Sequence, residues 1–203
     1  MGFGWLLTGY FFTFVVSLYS PLSFAMLAGY PMMIMALWSL APYHRHFRTV
    51  FYLSFLSLPF ALYYAIYGLG KMGVSFPAKL FEGALWQSVE WTYFAFSLLF
   101  TLMLLWAIMA LCGELGLVKL QGNAMRNAML ICLMYVFDMI SRLPVSFIQA
   151  YQGYIVLPVL LLRLITIFLN IFLIYGCYRH ICSEAEEIGR KNKQNRSKRE
   201  EEK

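Results

Sequence analysis

From Gly2 to Tyr43 the chain carries no Asp, Glu, Lys or Arg. As one helix that run would reach roughly 60 Å at 1.5 Å per residue, about twice the hydrocarbon thickness of a bilayer. It must therefore fold back once inside or at the edge of a membrane. Ser20-Pro21 is the natural hinge, because a residue before proline is pushed out of the α region while proline itself fits a new first turn. Two spans are predicted here, about 3–19 and 22–41. Composition agrees with a membrane setting: 61% of the 203 residues are hydrophobic and 13% charged, with a mean hydropathy of +0.66. Soluble domains hold about 25% charged residues.

Pro42 to Arg48 forms the first polar break, with Arg45 and Arg48. A third span follows at about 50–69, with Pro59 as a kink. The segment 70–81 reads as a loop carrying Lys71 and Lys79. The fourth span is set at 89–112, although its helix can start as early as Gly83. Trp86, Trp91 and Tyr93 at its start suggest an aromatic belt at headgroup level. The segment 114–123 is a short loop, and a fifth span occupies 124–141. After the loop 142–153, a sixth span covers 154–178. The fold class is thus all-α, a polytopic six-span bundle over residues 1–182 with a charged tail at 183–203. No small-residue cleavage site follows the first apolar run, so it is expected to stay as a span.

Charge placement sets the orientation. Seven of the sixteen Lys and Arg, and six of the ten acids, lie in the tail. With six spans, a cytoplasmic tail places the N-terminus inside too, together with Arg45, Arg48, Lys119 and Arg126 as topology and headgroup residues. Lys71, Lys79, Arg142 and Arg163 are the basic residues left over. This is the positive-inside pattern, N-in and C-in, and it explains the net charge of +6 without nucleic acid as partner. Ser183-Glu184-Ala185-Glu186 has capping-box spacing, so a short helix is expected to restart there. The stretch from Arg190 is predicted to be disordered, either drawn to anionic lipid or simply topogenic and solubilising.

The charges that remain inside the spans are the candidate functional residues. Asp138 and Arg142 lie one helical turn apart. Arg163 stands alone in the sixth span and needs a partner, which a salt bridge between the last two helices would supply. A charge at bilayer depth costs about 2.5 to 3.5 kcal/mol on insertion scales, which makes each a hypothesis about function. In the six-span topology Asp138 lies roughly 9 Å and Arg163 roughly 13 Å below the outer surface. Glu90 enters from the same side, with Gln87 one turn before it. An outward-facing cluster of Gln87, Glu90, Asp138, Arg142 and Arg163 is predicted, serving either as a ligand pocket or as interhelical ion pairs that fix packing.

Other features point less far. Asn170 is expected to bond a neighbouring helix. Cys112, Cys132, Cys177 and Cys182 fall in or near the reducing side, where disulfides are not expected. Cys177 and Cys182 are about 140° apart on a helix, which with His180, His44 and His46 fits no zinc spacing. The two histidines at 44 and 46 read as headgroup contacts. The twelve methionines read as packing and lipid-facing residues. Ala25-x-x-x-Gly29 offers a small surface for close helix approach, in this chain or on a partner. No Walker loop, His-Glu-x-x-His or Gly-x-Ser-x-Gly occurs, so catalytic residues, metals and cofactors are not expected.

At Ala28-Gly29-Tyr30, Leu37, Leu40-Ala41-Pro42-Tyr43, Phe47 and Cys177-Tyr178-Arg179-His180-Ile181-Cys182 the chain resembles a group of small multi-pass membrane proteins of clostridial bacteria. Many of those carry Pro-Asp-Phe-Ile-Gly-Tyr where this chain has Ser23 to Tyr30, without the acid. The resemblance implies a Gram-positive plasma membrane and no particular activity. Size and span count are also similar to the substrate-binding subunits of energy-coupling-factor vitamin transporters, though their small-residue motif is not evident in 3–19. Two roles are expected: a small-solute transport component, or an accessory subunit with a membrane partner or a second copy of itself.

Overall fold

The computed structural model describes the backbone of residues 2–74, 81, 83–142 and 152–201, with side chains up to 181 except 152, 153 and 155. It is all-helical, with no strand among the described residues. The helices are α1 (Gly2–Phe14), α2 (Met26–Leu40), α3 (Arg45–Phe55), α4 (Ser57–Lys71), α5 (Gly83–Glu114), α6 (Val118–Ser141) and α7 (Gln152–Glu201). Four segments are long and apolar enough to cross a membrane: Ser20–Leu40, Gly83–Glu114, Val118–Ser141 and Val156–Ile181. The bent pair α3 and α4 makes a fifth if taken as one span, and Gly2–Leu18 is a shorter apolar helix. Trp38, Tyr52, Trp106, Leu161 and Phe172 stand with half or more of their surface exposed around the outside, the apolar perimeter a lipid-facing bundle requires.

Sequence chemistry accounts for each break. α1 runs into a 3-10 turn at Val16–Leu18, Tyr19 becomes extended, and Ser20–Ala25 forms a second 3-10 turn with Pro21 in its first positions. Ser23 Oγ donates to the Tyr64 carbonyl at 2.7 Å, pinning this turn onto α4. α3 and α4 meet at a 42° bend. Pro59 is the cause: it has no N–H for the Phe55 carbonyl and its ring crowds that group. The break therefore falls at Leu56, three residues before the proline, and the Ser54 and Ser57 hydroxyls donate back to the Phe51 and Ser54 carbonyls beside it. α5 ends in a Schellman turn, with Gly116 at φ +69 and the Leu117 N–H bonded to the Cys112 carbonyl at 2.8 Å.

α5 begins at Gly83, the earlier of the two starts the sequence allows. Two boundaries differ from the sequence expectation. α6 begins at Val118, not Ala124; polar side chains such as Lys119, Gln121 and Arg126 occupy the first turns of α6, where long stems can reach water. The backbone of the tail, for which disorder after a helical restart is predicted, continues α7 without a break to Glu201. Extending an existing helix avoids the cost of nucleation, and Lys, Arg, Glu and Gln are good helix formers. Lys79, the loop 143–151 and the tail side chains, Cys182 included, lie outside the described residues.

α1 packs on α2 and α7, α2 on α3 and α4, α3 on α5, α5 on α6, and α6 on α7. The helices thus close a ring in chain order. Its tightest seam is α1 with α2. Cβ atoms at Gly9 and Gly29 would lie 2.8 Å from the Gly29 carbonyl oxygen and 2.9 Å from the Gly9 carbonyl oxygen, so both must be glycine. Ala25-x-x-x-Gly29 is therefore used inside the chain, against Gly9-x-x-x-Thr13. The core of the ring holds Phe3, Leu6, Tyr30, Met33, Leu37, Phe47, Phe100, Leu104 and Ile108.

Candidate functional site

Along four helices the residues facing the ring's interior repeat at helical spacing: Tyr10, Thr13 and Phe14 on α1, with Ser17 in the 3-10 turn that follows it; Glu90, Tyr93, Phe94, Ser97 and Thr101 on α5; Ile131, Met134 and Tyr135 on α6; Arg163, Thr166, Ile167 and Asn170 on α7. Steps of three and four keep each set on one face. Together with Met26, Tyr64, Leu18 and Arg142 they line a cavity of about 250 Å³. It lies towards the end of the bundle holding the 15–25 turn, the starts of α5 and α7, and the end of α6.

The floor is a chain of side-chain hydrogen bonds. Asn170 Nδ2 donates to Tyr10 Oη at 2.8 Å, and Asn127 Nδ2 donates to Asn170 Oδ1 at 3.1 Å. Arg126 Nη2, on the exposed side, donates to Asn127 Oδ1 at 3.3 Å. Three helices are thereby tied beneath the cavity. The walls are tied likewise: Tyr135 Oη donates to Ser97 Oγ at 2.8 Å, and the Tyr30 and Tyr93 hydroxyls meet at 3.1 Å. Each of these polar groups is satisfied within the protein, as burial in an apolar bundle demands.

Of the five residues singled out in the sequence, Glu90, Arg142 and Arg163 line the cavity. Asp138 does not. Its carboxylate, almost wholly buried, accepts from Arg142 Nε at 3.1 Å, while the Arg142 guanidinium lies 5.2 Å from the centre of the Phe94 ring. The salt bridge between Asp138 and Arg163 that the sequence suggests is not formed; the partner four residues along the same helix takes the carboxylate instead. Gln87 stands exposed on α5, one turn beyond Glu90 and rotated about 60° from it, and falls outside the lining. Among the described residues neither Glu90 nor Arg163 has an ion-pair partner.

Sequence reading missed the hydroxyl and ring components: Tyr10, Tyr64, Tyr93, Ser97, Tyr135 and Thr166. The signal was present as polar groups at helical spacing on otherwise apolar spans, with Tyr93, Ser97 and Thr101 on α5 the clearest case. Tyr93 is correspondingly not part of a headgroup belt; it turns inward, with ring centres 4.8 Å from Tyr64 and 5.5 Å from Phe60. Trp86 packs on α4, 4.7 Å from the Tyr67 ring.

At the opposite end, His44 Nε2 is 3.2 Å from Glu114 Oε1, and His44 Nδ1 caps α3 by accepting the His46 N–H at 3.1 Å. His44 therefore joins two turns rather than standing free for headgroups. Arg45, Arg48, Lys119 and Arg126 lie on the starts of α3 and α6 at this end. Cys112 and Cys177 are free and buried, with their sulfurs 3.9 Å apart. Among the described residues no group of three His, Cys, Asp or Glu could hold a metal. Comparison with protein-family models, curated proteins and solved structures finds no match.

Proposed function

We propose that the chain is a six-span protein of a bacterial plasma membrane, both termini in the cytoplasm, that binds a small solute in an outward-facing cavity as part of its transport, without reacting on it. The observation that carries this is the cavity wall: apolar helices turn hydroxyl, amide and ring groups into one space, which two charges without an ion-pair partner among the described residues also face. Such linings belong to water-filled or ligand-filled paths in membrane bundles. The orientation rests on Arg45, Arg48, Lys119 and Arg126, which share the end opposite the cavity with the start of the tail. Counting Gly2–Leu18 as a span rests on its packing against both α2 and α7 and on a length of roughly 26 Å.

Single cysteines on a cysteine-free background test the reading. A membrane-impermeant thiol reagent added from outside is expected to label positions 90 and 163 but not 138. Protection at both 90 and 163 would defeat it. A second reading is favoured by the Asp138–Arg142 pair, which is complete within α6 and needs no ligand: an accessory subunit whose charges only stabilise packing. On that reading, neutralising Glu90 and Arg163 leaves solute handling untouched, and a membrane partner or a second copy co-purifies with the chain.

A further inference from the structure

The charges on the cavity wall are not equivalent. Arg142 is matched by Asp138 and capped by the Phe94 ring. Among the described residues that leaves one anion, Glu90, and one cation, Arg163, on the wall of the same cavity. They are not within 4.0 Å of each other, and both face the same cavity, which can hold something else. Resting on the solute-binding reading above, we propose that the cavity takes a zwitterion of the α-amino-acid class, with its carboxylate on Arg163 and its ammonium at Glu90.

The reasoning is one of charge matching. In an apolar bundle an unmatched charge is costly, so the favoured occupant leaves none. A simple acid would satisfy Arg163 and leave Glu90 facing another anion. A simple amine would do the reverse. A zwitterion satisfies both with no net charge carried into the membrane. The guanidinium fork accepts a carboxylate through two parallel hydrogen bonds. Tyr64, Tyr93 and Tyr135 stand on the same wall, and their rings can add attraction for an ammonium. Ile131, Met134 and Ile167 supply apolar wall for a side chain. The volume of about 250 Å³ leaves room for a single amino acid.

The test uses the full chain purified into lipid nanodiscs, with titration calorimetry against the twenty standard amino acids. For the best binder, the matching amine without its carboxylate and the matching acid without its amine are then titrated. The expected result is saturable binding of at least one amino acid, with both single-charge analogues at least tenfold weaker. Glu90→Gln should weaken the amino acid at least tenfold while sparing the acid analogue. Arg163→Gln should weaken the amino acid and the acid while sparing the amine. Should Arg163→Gln fail to fold, Arg163→Lys keeps the charge, loses the fork, and should still weaken the amino acid. Equal binding of the acid or the amine overturns the proposal, as does a lack of binding by every amino acid. Cysteine labelling separates the two failures: if 90 and 163 are accessible, only the zwitterion falls, and if they are protected the solute-binding reading falls with it.

Discussion

Asn170 shows how much a single amide can carry when its surroundings are apolar. It donates to Tyr10 and accepts from Asn127, so its removal orphans groups on two other helices. Hydrogen bonds between membrane helices contribute about 0.6 to 2 kcal/mol each. Asn170→Ala is accordingly expected to cost on the order of 1 to 3 kcal/mol, read from reversible unfolding in mixed micelles. Asn127→Ala added to it should cost less than its single effect, because the bond between them is already lost. Additive losses would show that the two amides act separately. Gly29 makes the opposite kind of point. Any side chain there meets Thr13 and the Gly9 carbonyl, so Gly29→Val should cost at least about 2 kcal/mol in the same assay, the range of a strained, overpacked contact.

At the scale of the element, the bend between α3 and α4 has a chemical cause that substitution can remove. Pro59→Ala restores a donor for the Phe55 carbonyl. Spin labels at His46 and Lys71 should then move apart by roughly 2 to 3 Å as the 42° bend relaxes. An unchanged distance would assign the bend to packing against α2 and α5. Here the sequence was informative, because proline acts locally: the kink in the third span and the hinge near Pro21 could both be read from the residue alone. Helix ends were harder. Lys119 and Gln121 look like loop residues in a hydropathy profile, yet helical backbone continues beneath them. The candidate charges were legible for the same reason that Pro59 was, since any charge in an apolar run stands out. Their pairing was not. Asp138 had two arginines within reach in the sequence, and only the placement of α7 decides that Arg163 faces the cavity. The tyrosines were hidden by being half apolar themselves.

For the molecule as a whole, the distribution of charge between its two ends predicts an orientation that labelling can check. Cysteines at 44 and 117 should react only with reagent on the side of the C-terminal tail, and cysteines at 17 and 72 only on the other. Reaction of 44 and 72 from one side would refute the six-span arrangement. The all-helical class and the presence of several helices long and apolar enough to cross a membrane were recoverable from hydropathy. The ring and its interior were not, since they depend on which stripe of each helix turns inward.

The closure of that ring in chain order has a consequence for biosynthesis. Each new helix can settle on one already made, but the contact of α7 with α1 and α6 is made last, and α7 brings both Arg163 and Asn170. Until it arrives there is no cavity, Tyr10 lacks the Asn170 amide, and Asn127 is left with Arg126 alone. On the membrane reading proposed above, a nascent chain is conspicuous to the machinery that removes misassembled membrane proteins until its last helix docks, and ceases to be so in the same step that completes the site.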